Sequence, residues 1–471
     1  MGNSSREFWG PSLRVIPMPS PSFTQITMSF RPVVGIVFLG RRRPGFDMAW
    51  SRSIEERVRE SCGRAPEFIC FEPPEKAVDE ASLRRIMSAC TERKVDAIAV
   101  LQPTMGDGRL LQTMIQLWSH PLILWATPEN PQGDMVTCSL VGTHSWASML
   151  RHMGHPFFIV SGAPDSPAVR QQLNEAVRMA NTCRRLKAAR LGMIGGHVPG
   201  FFAMGGDPFS IYHGLGVQVQ TYTLVEFLDV VNGIDTASIE QDVAATRALG
   251  LQHKDTADED LSLASRLYLA LRAFFLNETL DALTIREWPE LPNKTGQWPL
   301  LGVARLLDEG FPLAIEGDAD GAILALMGES LGLGRSYLTD WLEHDESEIT
   351  LWHGGAAPLS LCEPGAKLAR HFNTGHPMAI DAIIRIGMPV TLARIWRLEG
   401  RYFVTAREGE TVRPRREILA TNARARLDRQ RPDEWFEELC HLGMPHHVTL
   451  FQGRHEKLLR RFSRAMDAQF V

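Results

Sequence analysis

The chain has 471 residues, of which 44% are hydrophobic and 22% are charged, with a formal net charge of −5. This composition excludes a disordered, collagen-like or coiled-coil chain, and the slight acidity disfavours a dedicated nucleic-acid binder. The seven cysteines are scattered without a CxxC pair, which predicts reduced thiols in a cytoplasmic protein. The chain has no apolar run long enough for a membrane helix, so we expect no membrane partner.

Residues 1–27 are rich in Ser and Pro, and we interpret them as a loosely ordered extension rather than a signal peptide. From residue 28 onward, short apolar segments alternate with charged segments of helical periodicity. This alternation predicts a Rossmann-like parallel-sheet domain over residues 28–164. Its strands are predicted at 33–40, 67–71, 95–102, 121–127 and 155–162, and its helices at 51–64, 82–94 and 110–119.

The same alternation predicts a second Rossmann-like α/β domain over residues 165–337. Its strands are predicted at 190–202, 217–223, 282–291 and 312–318. Its helices are predicted at 167–186, 238–249, 258–277 and 299–309, and a further helix follows residue 318 and runs through Gly332. Sheets of this kind bind ligands at the carboxyl ends of their strands. Glu287, Glu290 and Glu316 lie at or just beyond such ends.

Residues 338–471 change character and become rich in β-strand patterns joined by short turns. The pattern predicts an antiparallel β-barrel-like domain, with one hairpin turning at Glu399-Gly400. Two helices are expected near the end of the chain, at 432–442 and 454–470. The fold class predicted for the whole chain is therefore α/β, with two Rossmann-like parallel-sheet domains followed by this third domain.

Carboxylates and imidazoles recur at the ends of these predicted strands. Glu316 precedes a Gly- and Asp-rich turn, Asp340 follows the next helix, and His353, His446 and His447 border later strands. Two carboxylates with an imidazole suit manganese or magnesium better than zinc. Each residue alone has an ordinary alternative, such as a helix cap or a hydrogen-bonded core histidine. Because there is no HExxH or close cysteine pair, spacing alone gives only a weak metal signal.

Two further segments have both a functional and a structural interpretation. Arg41, Arg42 and Arg43 follow the first predicted strand and could bind an anion such as phosphate or sulfonate, or form a solvated loop. The glycine-rich segment IGGHVPG (194–200) lacks a nucleotide-binding pattern but could bring backbone close to a ligand. The chain has no G-x-S-x-G motif, which disfavours a serine hydrolase.

Several segments, taken in order, resemble the L-fucose/L-arabinose isomerase superfamily, closest to its L-fucose isomerase-like members. They are WPEL (288–291), LLDEGFPLAIEGDADGAI (306–323), LTDWLEHDESEITLWHGGAAPLSL (338–361), MPVTLARIWRLEGRYFVTAREGETV (388–412) and GMPHHVTLFQG (443–453). The resemblance runs from about residue 28 to the end of the chain. It implies two Rossmann-like domains and a C-terminal β-rich domain, assembled as a homo-oligomer (hexamer or trimer) with sites near subunit interfaces.

The resemblance also implies an activity, namely aldose–ketose isomerisation of an open-chain monosaccharide through a cis-enediolate. The implied cofactor is Mn²⁺, or Mg²⁺ or Co²⁺ in its place. Glu316 and Asp340 are then the acid/base pair and also metal ligands, and His447 is the imidazole ligand. The predicted substrate contacts are Trp352, His353 and His446. After WH, the common Cys-Gly-Asn of the family is replaced here by Gly354-Gly355-Ala356, so substrate contacts in this loop are expected to differ.

Three functional classes follow from these observations. The first is a metal-dependent sugar isomerase, whose substrate could be sulfonated or phosphorylated if Arg41, Arg42 and Arg43 bind its anion. The second is a non-catalytic sugar-binding or regulatory protein on the same scaffold. The third is another metal-dependent sugar reaction, such as epimerisation or hydrolysis, because a fold does not fix its chemistry.

Overall fold

We describe the protein from a computed structural model, which describes residues 31–40 and 45–471. The predicted extension at 1–27 and the three consecutive arginines at 41–43 lie outside these residues. Within the described residues, no helix is both long and apolar enough to cross a membrane. The strands form three sheets.

The first sheet is parallel and five-stranded, in the order β2-β1-β3-β4-β5. Its strands are β1 (Val33–Phe38), β2 (Ile69–Phe71), β3 (Ala97–Leu101), β4 (Leu122–Ala126) and β5 (Phe157–Ser161), and its helices are α1 (Met48–Gly63), α2 (Glu80–Glu92), α3 (Gly108–Leu117) and α4 (Ser139–His152). β3 and β4 are buried along their whole length, as expected for parallel strands covered on both faces. Aspartates cap three of the helices, with Asp47 before α1, Asp79 before α2 and Asp107 before α3.

The second sheet is also parallel and has four strands, in the order β10-β9-β6-β7. Its strands are β6 (Arg190–Ile194), β7 (Gln218–Tyr222), β9 (Ala282–Ile285) and β10 (Leu313–Ala314), while β8 (Gln252–His253) joins the third sheet. The helices of this region are α5 (Pro167–Ala188), α6 (Pro208–Leu215), α7 (Leu224–Gly233), α8 (Thr236–Arg247), α9 (Asp260–Asn277), α10 (Glu290–Thr295), α11 (Leu300–Glu309) and α12 (Ala319–Leu331). α12 is buried along almost its entire length, because it packs against β10, the helix α5 and the third sheet.

The third sheet contains a closed antiparallel barrel. Its strands are β11 (Ser336–His344), β12 (Glu348–His353), β13 (Lys367–Ala369), β14 (Ala379–Ile383), β15 (Pro389–Leu398), β16 (Arg401–Val412), β17 (Thr421–Leu427), β18 (His447–Gln452) and β19 (Gln469–Phe470). Six of them, in the order β16-β15-β18-β11-β12-β17, close because β17 pairs back onto β16. The helices are α13 (Pro432–His441) and α14 (Glu456–Ala465). The structure therefore confirms the predicted fold class of two parallel α/β units followed by an antiparallel barrel.

One hydrophobic core runs across all three units rather than stopping at each. The same cluster of buried side chains contains Val34 of the first sheet, Leu191 of the second sheet and Phe451 of the barrel. The ring of Phe451 lies against Gly328 of α12, where an added Cβ would approach it to 2.3 Å. The interface between α12 and the barrel is therefore packed closely enough to fix their relative positions.

The structure corrects several predicted elements. The helices α4, α6 and α7 were not predicted, and for α4 the reason is local, because Cys138 precedes it in a left-handed conformation without a capping hydrogen bond. The helix expected at 454–470 ends at Ala465, where the chain turns through Asp467 (φ 52°) and its last residues pair with β16. The strand expected at 312–318 is only the two residues of β10.

Candidate metal and sugar site

Two glutamates stand at the carboxyl ends of neighbouring strands in the second sheet. Glu287 follows β9 and Glu316 follows β10. The side chain of Glu287 accepts a hydrogen bond from the backbone N–H of Glu316, with a distance of 2.7 Å between Oε2 and N. Glu316 has a positive φ of 62°, and the next residue, Gly317, has one of 71°. A Cβ on Gly317 would lie 2.1 Å from the carbonyl oxygen of Gly196, so the IGGHVPG segment packs directly under this turn and requires glycine there.

The barrel brings its polar residues to the same place through strand register. Asp340 of β11 pairs directly with His447 of β18 on one side and with Trp352 of β12 on the other. His353 is the last residue of β12. Because directly paired residues of adjacent antiparallel strands are neighbours, Asp340, His353 and His447 converge although they are far apart in the sequence.

Carboxylate oxygens and imidazole nitrogens meet between the second sheet and the barrel. Nε2 of His447 lies 3.3 Å from Oε2 of Glu316, 3.8 Å from Oδ1 of Asp340 and 3.4 Å from Nε2 of His353. Nε2 of His446 lies 3.8 Å from the same Glu316 oxygen and 3.7 Å from the same Asp340 oxygen. Ligand atoms of Glu316, His446 and His447 lie within 4.8 Å of one another, as do those of Asp340, His353 and His447. We call these five residues the carboxylate–imidazole cluster.

Behind this cluster, a buried ion pair orients His447. Nδ1 of His447 lies 2.8 Å from Oδ2 of Asp318. Arg394 of β15 donates to both oxygens of Asp318, at 2.6 and 2.9 Å, and neither of these two side chains is exposed to solvent. Asp318 also caps α12 by accepting a hydrogen bond from the backbone N–H of Gly321. The carboxylate therefore fixes which nitrogen of His447 faces the cluster, as carboxylate partners of ligand histidines commonly do.

The charges within the cluster shift one another's pKa values. Burial raises the pKa of Glu316, but the imidazoles of His446 and His447 outweigh it and lower this pKa well below its usual range. Burial opposes a charged His447, but the nearby carboxylates of Asp318 and Glu316 outweigh it and raise its pKa to about 9. Burial, together with the negative charge of Glu316, raises the pKa of Glu287 to about 8. Glu316 is therefore the ionised member of the glutamate pair and Glu287 the neutral one near pH 7.

The donor set fits a divalent cation. Oε2 of Glu316 and Oδ1 of Asp340 are buried from solvent and have no hydrogen bond of normal geometry within the described part of the chain. Buried polar atoms are normally satisfied, so two unsatisfied oxygens facing the same imidazole indicate a ligand between them. A set of carboxylate oxygens and imidazole nitrogens suits Mn²⁺, Mg²⁺ or Co²⁺, and nothing in the geometry distinguishes these ions.

A cavity of about 320 Å³ opens beside the cluster and is lined by Glu316, Asp340 and His353. Its remaining walls come from aromatic and polar side chains, among them Trp288, Trp298, Trp352, His371, Phe372 and Asn373. Open-chain monosaccharides are small enough for such a volume, and cavities with a few polar groups among aromatic walls are typical of small-molecule sites.

The predicted site residues fall into three groups in the structure. Glu316, Asp340, His353, His446 and His447 lie together in the cluster, and the His446 side chain is 46% exposed at its edge. Trp352 lines the cavity, with its indole N–H donating to the carbonyl oxygen of Leu419. The predicted anion-binding residues Arg41, Arg42 and Arg43 lie outside the described residues.

The sequence interpretation did not assign the residues that support the cluster to the site, although it placed Glu287 at the end of a predicted strand. Glu287 carried a usable signal, because it follows an apolar strand in the same way as Glu316 does. Arg394 also carried one, since a charged residue within the apolar run TLARIW indicates a buried partner. The two further residues Trp298 and His371 carried none, because only the folded chain brings them to the cavity.

The fold and the cluster define the class: a parallel α/β protein whose carboxylates and imidazoles meet a closed barrel around a small cavity. Residues 203–334 match the family described as L-arabinose isomerase central domain. The chain is 26% identical to sulfoquinovose isomerase from Priestia megaterium, over 81% of this chain and 86% of that protein. It is 27% identical to sulfoquinovose isomerase from Alkalicoccus urumqiensis, over 80% and 86%. It is 25% identical to L-arabinose isomerase from a Nocardioides strain, over 78% of each chain.

Together these matches support membership of the arabinose isomerase-like superfamily. They do not single out its L-fucose isomerase-like members, so that closer assignment stays a prediction.

Proposed function

We propose that this protein is an aldose–ketose isomerase that acts on an open-chain, sulfonated monosaccharide with the help of a divalent cation. The observation that carries the proposal is the convergence of two carboxylates and three imidazoles in a cluster beside one small cavity, which Glu316, Asp340 and His353 line. The similarity to proteins named sulfoquinovose isomerase, over four fifths of the chain, supports the sulfonated substrate.

Glu316, Asp340 and His447 would hold the cation, with His353 and His446 beside it. When bound, the cation would polarise the sugar carbonyl and stabilise the negative charge that develops during proton transfer. The chain's own contribution is to move one proton between C2 and C1 of the sugar while a second proton passes from O2 to O1. Glu316 and Asp340 both reach the cavity and are the acid/base pair, and the lowered pKa of Glu316 keeps its carboxylate ionised near pH 7.

Asp318 and Arg394 bind no substrate in this proposal. Their role is to keep Nε2 of His447 directed at the cluster, because the Nδ1 side of the ring is engaged by Asp318. Trp288 adds a further restraint, since its indole N–H donates to Oε1 of Glu316 at 3.3 Å. The remaining oxygen of Glu316, Oε2, is thereby left facing the imidazoles.

The negative group of the substrate needs a cationic partner. Among the described residues that line the cavity there is no lysine or arginine. We therefore propose that Arg41, Arg42 and Arg43, from this chain or from another copy in a homo-oligomer, bind the sulfonate. Replacing all three by alanine should raise the KM for a sulfonated sugar and leave that for a neutral sugar unchanged, and an equal rise for both would contradict this assignment.

The test of the proposed function is incorporation of deuterium from D₂O into C1 or C2 of the sugar, followed by mass spectrometry. Sulfonated, phosphorylated and neutral sugars would be compared with manganese-loaded protein. We expect exchange into one sulfonated aldose–ketose pair, loss of exchange in Glu316→Gln, and no change in the matched variant Glu329→Gln. Glu329 is a suitable control because it lies at the other end of α12, in an ion pair with Arg185. No exchange into any sugar, with metal bound, would refute the proposal and favour a binding protein.

A further inference from the structure

A histidine outside the carboxylate–imidazole cluster also faces the cavity. His371 is 6% exposed, stacks on the ring of Trp298 at a centroid distance of 4.3 Å and lines the cavity wall. Its backbone is fixed at both polar groups, since its N–H donates to the carbonyl of His376 and its carbonyl accepts from the N–H of Gly375. Both the ring and the backbone are thus held in place before any ligand binds.

A chain of hydrogen bonds fixes which nitrogen of this ring carries the proton. The indole N–H of Trp298 can only donate, and it donates to the hydroxyl oxygen of Thr374 at 2.8 Å. That oxygen also lies 3.5 Å from the backbone N–H of His376, which again can only donate. The hydroxyl proton of Thr374 is therefore directed to Nδ1 of His371, 3.4 Å away. Nδ1 is then the acceptor, and Nε2 carries the hydrogen.

The ring nitrogen Nε2 of His371 is the last atom in this series of hydrogen bonds. Within residues 31–40 and 45–471 it has no hydrogen-bond partner. A Cβ at position 354 would lie only 3.1 Å from Nε2, so glycine at this position makes room for the ring. Burial, aided by the nearby His353 and His376, lowers the pKa of His371 to about 4, so the ring is a neutral donor near pH 7.

We propose that His371 is a specificity-determining residue, whose Nε2–H donates a hydrogen bond to an acceptor oxygen of the bound sugar. This inference rests on the proposed function and extends it to a residue outside the predicted site. The acceptor is either a hydroxyl oxygen or a sulfonate oxygen, since both accept in the same geometry. The relay from Trp298 through Thr374 places the donor in advance, so that a sugar lacking an acceptor there would leave a buried N–H unpaired.

The first arm of the test measures the tautomer of His371 in the free protein by ¹⁵N NMR. We expect hydrogen on Nε2 in the wild type and a mixture of tautomers in Thr374→Val, which keeps the side-chain shape and removes the relay hydroxyl. Hydrogen on Nδ1 in the wild type would overturn the inference. Because this arm needs no substrate, it decides the relay even if the protein isomerises no sugar, an outcome that would defeat the proposed function alone.

The second arm compares the kinetics of His371→Leu and His371→Gln. Loss of one hydrogen bond to substrate should lower kcat/KM by roughly 10- to 100-fold in the leucine variant, chiefly through KM. The glutamine variant keeps an N–H donor and should therefore recover part of this loss. A purely structural role of His371 predicts no such recovery. His441→Leu is the control, since this exposed histidine of α13 does not line the cavity and takes no part in the relay.

The choice of substrate separates the two acceptors. A loss confined to the sulfonated sugar assigns the acceptor to its sulfonate, and an equal loss with its neutral counterpart assigns it to a hydroxyl. An active enzyme in which His371→Leu keeps kcat/KM within twofold of the wild type for both sugars would overturn the inference.

Discussion

Asp318→Asn separates two roles of a buried carboxylate, namely holding the fold together and preparing the proposed metal site. Oδ2 of Asp318 accepts from Nη1 of Arg394 at 2.6 Å and from Nδ1 of His447 at 2.8 Å. Oδ1 accepts from Nη2 of Arg394 at 2.9 Å and from the N–H of Gly321 at 2.8 Å. An asparagine has one acceptor oxygen, so in either orientation its NH₂ group faces two donors.

The size of the effect follows from that count. Hydrogen bonds to a charged group contribute about 1.5–3 kcal/mol each, so losing two destabilises the folded protein by roughly 3–6 kcal/mol. Loss of the carboxylate that orients a ligand histidine typically weakens metal binding by about 10- to 100-fold. We therefore expect Asp318→Asn to lower the thermal unfolding temperature and also to raise the Kd for Mn²⁺ by about 10- to 100-fold. Electron paramagnetic resonance of free Mn²⁺ measures this Kd.

Asp320→Asn is the matched control. Asp320 is also buried in the first turn of α12 and pairs with an arginine of β15, Arg397, but it does not contact His447. Its substitution should cost stability without changing the Kd. If the two variants bind Mn²⁺ equally well while folded, as judged by circular dichroism, the reasoning that Asp318 prepares His447 for the metal is refuted.

Two further predictions concern stability. Gly328→Ala should lower the free energy of unfolding by about 1–3 kcal/mol in a urea titration, because the new Cβ would lie 2.3 Å from the ring of Phe451. The control Gly63→Ala should cause no loss of stability, because a Cβ there would have nothing within 4 Å. Equal effects of the two substitutions would contradict the packing argument. His155 has a pKa that burial lowers from its ordinary 6.5, so below pH 6.5 the unfolded chain takes up a proton that the folded chain resists, and stability falls as the pH decreases. Thermal unfolding of His155→Gln should therefore depend less on pH between 7 and 5 than that of the wild type, whereas the exposed control His441→Gln should match the wild type; identical slopes for all three would count against this origin.

The alternation of apolar strands with periodic helices was enough to predict both parallel sheets, and the β-strand patterns joined by short turns predicted the barrel. That information is local, since burial on both faces of a strand is visible in the strand's own residues. The helix α4 could not be predicted in the same way, because Cys138 before it makes no capping hydrogen bond. Spacing along the chain also gave only a weak metal signal, since each candidate ligand alone has an ordinary structural role.

The sequence could not predict the contacts between residues that are far apart in the chain and meet only in the folded protein. Asp318 and Arg394 are 76 residues apart, and Trp298 and Thr374 are also 76 residues apart. In each pair the two residues lie in different parts of the fold. A sequence motif of a few residues therefore cannot predict such a contact. The carboxylate–imidazole residues could be predicted because they lie in the segments that carry the family resemblance, whereas Trp298 and His371 became visible only in the folded chain.

The buried arginines of β15 have a role that stability alone does not explain. Arg394 and Arg397 reach from the barrel to Asp318 and Asp320 in the first turn of α12. Replacing a buried ion pair by apolar side chains is often neutral or stabilising, so such pairs are poor means of holding a fold together. Such ion pairs are, however, directional. The Arg394–Asp318 pair joins α12, the helix that follows Glu316, to the barrel, whose strands carry Asp340 and His447. We infer that the Arg394–Asp318 pair sets the position of Glu316 relative to Asp340 and His447, because a shift of α12 along the barrel would separate these two fully buried charges.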